Sequence, residues 1–339
     1  AMPVMYSHLD AFNSVDPTIE NSRIELIDSG MWIGFTKDDQ LRQRYLFALS
    51  QIFVNSTYVN STHDYARSLA RYVDILQTTG LAKFGDLLTQ ITLNPSMGAF
   101  LSHLYNRGDD TVTGTQPDQN YAREVMQLFS IGLWQLNPDG SRKLDAKGQP
   151  IPTYTQADVI GVSKALSGFG FKGATKDDWE YTNCFCRAPT DPAVQTQPME
   201  ANDYYHSWSE KKFLGVTIKS GSTSANADLK VVISRLVRHP NVGPFIGKQL
   251  IQRFVTSNPS PAYIARVSAV FANDGNKVRG NMKAVLKAIL LDPEARNAQP
   301  RLRAGFGHLK EPVIRATQML RAFNGFSYAE RNFGSTTDL

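Results

Sequence analysis

The chain has 339 residues, of which 42% are hydrophobic, 10% aromatic and 20% charged. That length supplies one large core or two smaller ones, the hydrophobic share excludes disorder, and no apolar run of roughly 18 residues exists to span a bilayer. Lys and Arg number 36 against 31 Asp and Glu, a formal charge of +5 that no basic patch concentrates, so nucleic acid is not an expected partner; two cysteines exclude a disulfide-rich scaffold.

Residues 1–37 read as an irregular lead-in, with a break at Asp16-Pro17 and glycines at 30 and 34. Ala1-Met2-Pro3 shows no basic segment followed by an apolar stretch, so a signal peptide is not expected within this chain. The pattern then turns helical. Leu41, Tyr45, Ala48, Leu49, Ile52 and Phe53 recur with the period of one buried helix face, behind Asp38 and Asp39, which suit the positive end of a helix. Further helices are expected at 64–77, at 81–93 ahead of Pro95, and at 96–105, followed by a loop at 106–117. Asp118 is the expected N-cap of a helix over 118–132, and Gly132 its stop.

Turn signals at Asn137-Pro-Asp-Gly140 and Asp145-Ala-Lys-Gly148 predict a small β-hairpin within 136–155. Thr155 caps the next helix, 156–168. Residues 170–225 hold both cysteines and little periodicity, an irregular insertion of the kind that carries function or a specific elaboration. Helices return at 228–238, 242–255, 261–273, 281–291 and 311–323, and 324–339 form a tail. The fold class is mainly α: a single large multi-helix domain over 38–323 with one hairpin and one insertion.

Several of these segments, in this order, carry a resemblance. They are Asp39-Gln-Leu-Arg-Gln-Arg44 with Phe47 to Phe53; Asn94-Pro-Ser-Met97 with Leu101-Ser-His-Leu104; and Asn120-Tyr-Ala-Arg-Glu124 through Gly132. Tyr154-Thr-Gln-Ala-Asp158 with Leu166-Ser-Gly168, and His206 ahead of Lys212-Phe-Leu-Gly215, continue the series. It ends with His239-Pro240, Phe245 to Val255, Leu291-Asp-Pro-Glu-Ala-Arg296 and Leu309-Lys-Glu-Pro312. The chain resembles the bacterial family catalogued as domain of unknown function 1800. The resemblance implies an α-helical, mostly exported protein whose gene often neighbours a sulfatase-like family, domain of unknown function 1501. It also implies that this chain is trimmed at both ends relative to most members.

For chemistry, the 118–132 helix is the richest segment. Tyr121, Val125, Leu128 and Phe129 share one face, and Glu124 lies on its border, about 60° from Tyr121 at about 100° per residue. A border carboxylate is half-desolvated, the condition a general acid exploits. The competing reading is a structural pair with Arg42 or Arg253. Glycan cleavage commonly needs a second carboxylate, and Asp118, Asp158, Asp203 and Glu311 are the available ones, although three of them open helices. None of the six histidines has a metal-ligand spacing, so no metal is expected. His239 ends a helix, where an imidazolium complements the dipole. His103 and His206 are the better candidates, the latter among Tyr204, Tyr205, Trp208, Lys211 and Lys212, a set that suits a sugar or peptide cleft or, equally, a loop anchored by its aromatics.

Cys184-Phe-Cys186 is too close for an easy disulfide and lacks a second pair for zinc. A Gly-x-Ser-x-Gly elbow, a P-loop and a dinucleotide fingerprint are absent, so no cofactor is assigned. Gly168-Phe-Gly170 reads as a loop, Asn137 to Asp145 as a hairpin turn rather than a calcium loop, and the sequons at Asn55 and Asn60 as unmodified. The expected protein is an exported hydrolase or lyase acting on an extracellular glycan. Glu124 would serve as acid or base, His206 or His103 as its partner, and Arg123 as an anchor, with Asn120, Tyr121, Tyr205, Trp208 and Lys212 in binding roles. The alternative is a non-catalytic assembly protein working with the co-encoded sulfatase-like partner.

Overall fold

A computed structural model describes residues 7, 9–10, 37–56, 66–110, 112–180, 191, 193–221, 224–297 and 304–323. The sequence expectations for most of the lead-in, the tail, both cysteines, Asn60, His8 and His63 lie outside them.

The protein is mainly α, with thirteen α-helices and two small antiparallel strand pairs among the described residues. The first half holds α1 (Gln40–Ser50), α2 (Ala66–Thr79), α3 (Phe84–Thr92), α4 (Pro95–Phe100), α5 (Asn120–Gln127) and α6 (Gln156–Ala165). After β1 (Phe169–Gly170) come α7 (Lys176–Glu180), β2 (Glu200–Ala201), β3 (Lys211–Phe213) and β4 (Val216–Ile218). The second half is α8 (Ala225–Arg238), α9 (Val242–Phe254), α10 (Pro261–Ala272), α11 (Met282–Leu291), α12 (Pro293–Arg296) and α13 (Pro312–Ala322).

Local chemistry sets several of the helix starts. Asn94, Ser260 and Asp292 each accept a backbone N–H of the first turn, and a proline follows each at the first helical position, where its missing N–H costs nothing. Thr155 and Asp158 cap α6 reciprocally, each side chain bonding the other's backbone N–H. The α1 stripe is buried as the period predicts, except for Leu41, which is 45% exposed at the open end.

One contiguous core runs from Tyr45 to Ile289. Aromatic rings join its two halves: Phe53 lies 6.2 Å from Phe84 and 5.7 Å from Phe129, and Phe84 lies 5.6 Å from Phe271 on α10. Around this spine α9, α10 and α11 pack mutually, while α8 bridges to α3 and α6.

Three expectations are corrected by neighbouring groups. The 118–132 helix is helical only over α5. The Asn106 side chain clamps both the N–H and the C=O of Asp118, so Asp118 is drawn into the preceding loop and its Oδ1 accepts only the Asn120 N–H. At the other end the Ile131 and Gly132 N–H groups both reach the Met126 carbonyl, and Gly132 has φ +70° with the Phe245 ring where a Cβ would stand. Gly168-Phe-Gly170 is no plain loop: Phe169 and Gly170 pair with Ala201 and Glu200, which closes the base of the insertion. The hairpin expected at 136–155 is a three-segment meander, bridged at Trp134–Pro152, Leu136–Arg142 and Leu144–Pro150.

Candidate functional site

The edge between α5 and α6 gathers the polar residues of the Asn-Tyr-Ala-Arg-Glu block. Glu124 is half-buried, its Oε2 is enclosed without a hydrogen-bond partner, and burial raises its carboxyl above the ordinary range, opposed in part by the Arg123 charge. Neither Arg42 nor Arg253 pairs with it. Arg42 approaches Asp39 at 3.8 Å, and Arg253 donates to the carbonyls of Gln249 and Gln51, each at 3.1 Å. Around Glu124 stand groups that exchange hydrogen bonds with one another. Arg123 donates to Gln156 (3.2 Å), Gln156 to Gln119 (2.6 Å), and Tyr154 to Gln127 (3.0 Å). The Tyr154 hydroxyl is itself raised, first by burial, and the Glu124 charge adds to the rise. Asn120 is exposed at the head of this edge.

The four carboxylates considered as companions are engaged elsewhere. Asp118 accepts the Asn120 N–H, Asp158 caps α6 and accepts the Leu214 N–H, Asp203 accepts the Ala225 N–H, and Glu311 accepts from Gln51. Among the described residues no hydrogen bond or ion pair links Glu124 to a second carboxylate or to an imidazole.

The two candidate histidines are enclosed, and no described hydrogen bond joins either to Glu124. His103 is fully buried beyond the end of α4, stacked on Tyr121 at 4.7 Å, with both ring nitrogens unpartnered. Burial lowers it to about 3, so it stays neutral. Tyr121 is buried as well, its hydroxyl sharing a 2.7 Å hydrogen bond with Thr92. His206 is 3% exposed; its Nδ1 faces the Ser167 carbonyl at 2.8 Å and its Nε2 faces Asp228 at 3.0 Å. The same Asp228 oxygen takes an ion pair from Lys211 at 2.8 Å, with both side chains sealed from solvent. His239 also departs from expectation. Burial, and then the charges of Arg235, Lys143 and Arg279, lower it to about 4, so it ends α8 as a neutral ring accepting the Asn241 N–H.

Next to that triad lies a second polar cluster. Asp109 takes an ion pair from Lys164 (2.7 Å) and hydrogen bonds from the Ser207 and Ser209 hydroxyls. Burial alone would raise the Asp109 carboxyl, but the Lys164, Ser207 and Ser209 bonds prevail and bring it to about 2. Lys164 also donates to Ser209 at 3.0 Å. A hydroxyl beside an amine is a nucleophile–base arrangement in some acyl-transfer sites. Here the amine stands in an ion pair, and Ser209 gives its proton to Asp109, so the hydroxyl is not activated.

Of the residues assigned binding roles, Tyr205 is half-buried, stacked on Trp179 at 4.3 Å, with the Arg107 guanidinium 5.3 Å from the centre of its ring. Trp208 is 50% and Tyr204 79% exposed, and Lys212 is exposed and paired with Glu210. Asp109, Lys164 and Asp228 were not singled out from sequence, and Lys211 was named only as a neighbour of His206. A signal existed: Asp228 falls in step with Ala225, Leu229, Val232 and Leu236 on the apolar stripe of α8, and Lys211 alternates with Lys212 onto the face of Phe213.

Among the described residues no group of three or more His, Cys, Asp or Glu is placed to hold a metal ion, and no helix is long and apolar enough to cross a membrane. No curated protein and no solved structure matches this sequence. A family profile does, that of "Protein of unknown function (DUF1800)", over residues 15–337. With a match covering nearly the whole chain, this protein belongs to the DUF1800 family.

Proposed function

We propose that the α5–α6 edge is the working site of an exported hydrolase or lyase, that its substrate is a hydroxyl-rich extracellular glycan, and that Glu124 is the proton donor. The observation that carries this is the Glu124 carboxyl itself: half-buried, raised by burial, with Oε2 lacking a partner. A carboxyl whose neutral form burial favours can give its proton to a leaving-group oxygen. Arg123, Gln127, Gln156, Asn120 and Tyr154 stand on or beside the same edge and supply the amide, guanidinium and phenol groups that hold sugar hydroxyls and anionic substituents.

The test is a screen of the purified protein against neutral and uronate-containing polysaccharides, reading new reducing ends and the ultraviolet absorbance of unsaturated products. Glu124→Gln is expected to lower cleavage by about 10²-fold or more. Unchanged activity in that variant removes Glu124 from the reaction.

The second reading is a non-catalytic assembly protein acting with a co-encoded sulfatase-like partner. It rests on a different observation: the buried Lys211–Asp228–His206 triad holds rigid a segment that displays Tyr204 and Trp208 outward. On this reading the unaltered protein cleaves no glycan, and substituting both aromatics with Ala is expected to abolish capture of that partner; loss of cleavage with capture preserved favours the first reading.

A further inference from the structure

A pocket of about 90 Å³ opens away from the α5–α6 edge, between α2, the end of α3 and the segment 196–198. Arg71, Gln90 and Gln197 line it together with the apolar walls of Ile75, Leu93 and Pro198. The side chains of Arg71, Gln90 and Gln197 make no hydrogen bond or ion pair with another described residue. The two other polar residues of the lining are already occupied: Asn94 accepts from Met97 and donates to Ser68, and Thr196 donates to the Ala193 carbonyl. Among the described residues no carboxylate lines the pocket.

The free groups are therefore a guanidinium and two carboxamides, set against three apolar side chains. A guanidinium matches a carboxylate with two parallel hydrogen bonds, and carboxamide N–H groups add to the same oxygens. The apolar walls call for an aliphatic portion behind the charge. The modest volume of the pocket favours a short stem over a long chain.

We propose that this pocket binds a carboxylate carried on a short aliphatic stem. The proposal does not depend on the role of Glu124. The ligand is either a free short-chain acid or the terminal carboxylate of a longer molecule that enters by its end.

The test titrates the full chain with sodium propionate and follows the side-chain amide signals of Gln90 and Gln197 by NMR. Both signals are expected to shift saturably, and propionamide, which has the same shape without the charge, is expected to leave them in place. Arg71→Met is expected to weaken propionate at least about tenfold with the melting temperature unchanged. N-acetylalanine separates the two sources. Saturation by it as well as by propionate supports a terminal carboxylate; saturation by propionate alone supports a free acid. Propionamide binding as tightly as propionate overturns the proposal, as does full affinity in Arg71→Met or the absence of any saturable shift with propionate. The amide readout belongs to the unaltered protein, so it decides the matter even if the variant fails to fold.

Discussion

Replacing Lys211 by Met isolates what the buried triad contributes. In the native fold the Lys211 ammonium is 2.8 Å from an Asp228 oxygen, its side chain is 2% exposed and that of Asp228 is sealed. Met keeps much of the stem and removes the charge, leaving a buried carboxylate short of a cation. Breaking a buried pair from one side costs about 3–5 kcal/mol. For a domain of this size roughly 2 °C is lost per kcal/mol, so the melting temperature is expected to fall by about 6–10 °C. Lys212→Met serves as the control. It changes the next residue of β3, whose partner Glu210 is exposed, and is expected to cost about 0–0.5 kcal/mol. Urea unfolding of Lys211→Met, Asp228→Leu and the double variant completes a cycle. The double variant is expected to lose less than the two single losses added together, because an apolar pair replaces both charges at once. If Lys211→Met stays within about 1 kcal/mol of the native protein, or if the two losses simply add, the triad does not hold the insertion in place.

Three further outcomes follow from the geometry. Glu124 is raised in the fold, so between the ordinary carboxylate value of 4.5 and its higher folded value the unfolded chain releases its proton first and stability falls as pH rises; Glu124→Gln, which cannot ionise, is expected to be the more stable protein at pH 7 and to lose that advantage well below pH 4.5, measured by urea midpoints across that range. His103 is lowered from 6.5 to about 3, so acidification from pH 6.5 toward 3 charges it in the unfolded chain first and drains stability. His103→Phe removes two unpartnered buried nitrogens and is expected to melt higher at pH 7 and to lose less on acidification, with His239 still contributing a slope down to about pH 4 in both proteins; parallel pH profiles would refute this. Gly161→Ala would gain stability by helix propensity alone, yet a Cβ there would stand 2.0 Å from the Lys212 carbonyl, so a loss of about 3 kcal/mol in urea unfolding is expected.

The helices were legible because their starts and stops are local. Thr155 acts within three residues of where it stands, and its bond with Asp158 forms as the sequence pattern suggests, whereas the Asn94, Ser260 and Asp292 caps, each before a proline, were not among the expectations. Asp118 failed because a residue twelve positions earlier, Asn106, outbids the helix for it, and no local rule contains that competitor. The block around Glu124 was visible from its border position, and the absence of an Arg42 or Arg253 partner was not, since both arginines turn to neighbouring groups fixed by tertiary packing. His206 stood out by its aromatic neighbours, but its partners lie 39 and 22 residues away on other elements. Asp228 carried a readable mark, a charge on an apolar stripe, whereas nothing in the loop at 106–117 distinguishes Asp109 from Asp110 until Lys164 and the two serines are brought to it.

The hairpin of β3 and β4 turns through Leu214 and Gly215, both with positive φ, the geometry of a tight two-residue turn that a leucine adopts unwillingly. Three groups secure it from outside: Asp158 accepts the Leu214 N–H, Arg235 donates to the Leu214 carbonyl at 2.6 Å, and Asp228 receives Lys211 from the adjoining strand. Those groups belong to α6 and α8, elements on either side of the insertion in the chain. The turn therefore has no reason to form before both helices are in place, and once formed it cannot open at one end without releasing contacts at the other. In folding terms the hairpin is a late latch that closes when the two halves of the molecule have met, so its amides are expected to exchange with solvent together, in one cooperative step rather than by fraying.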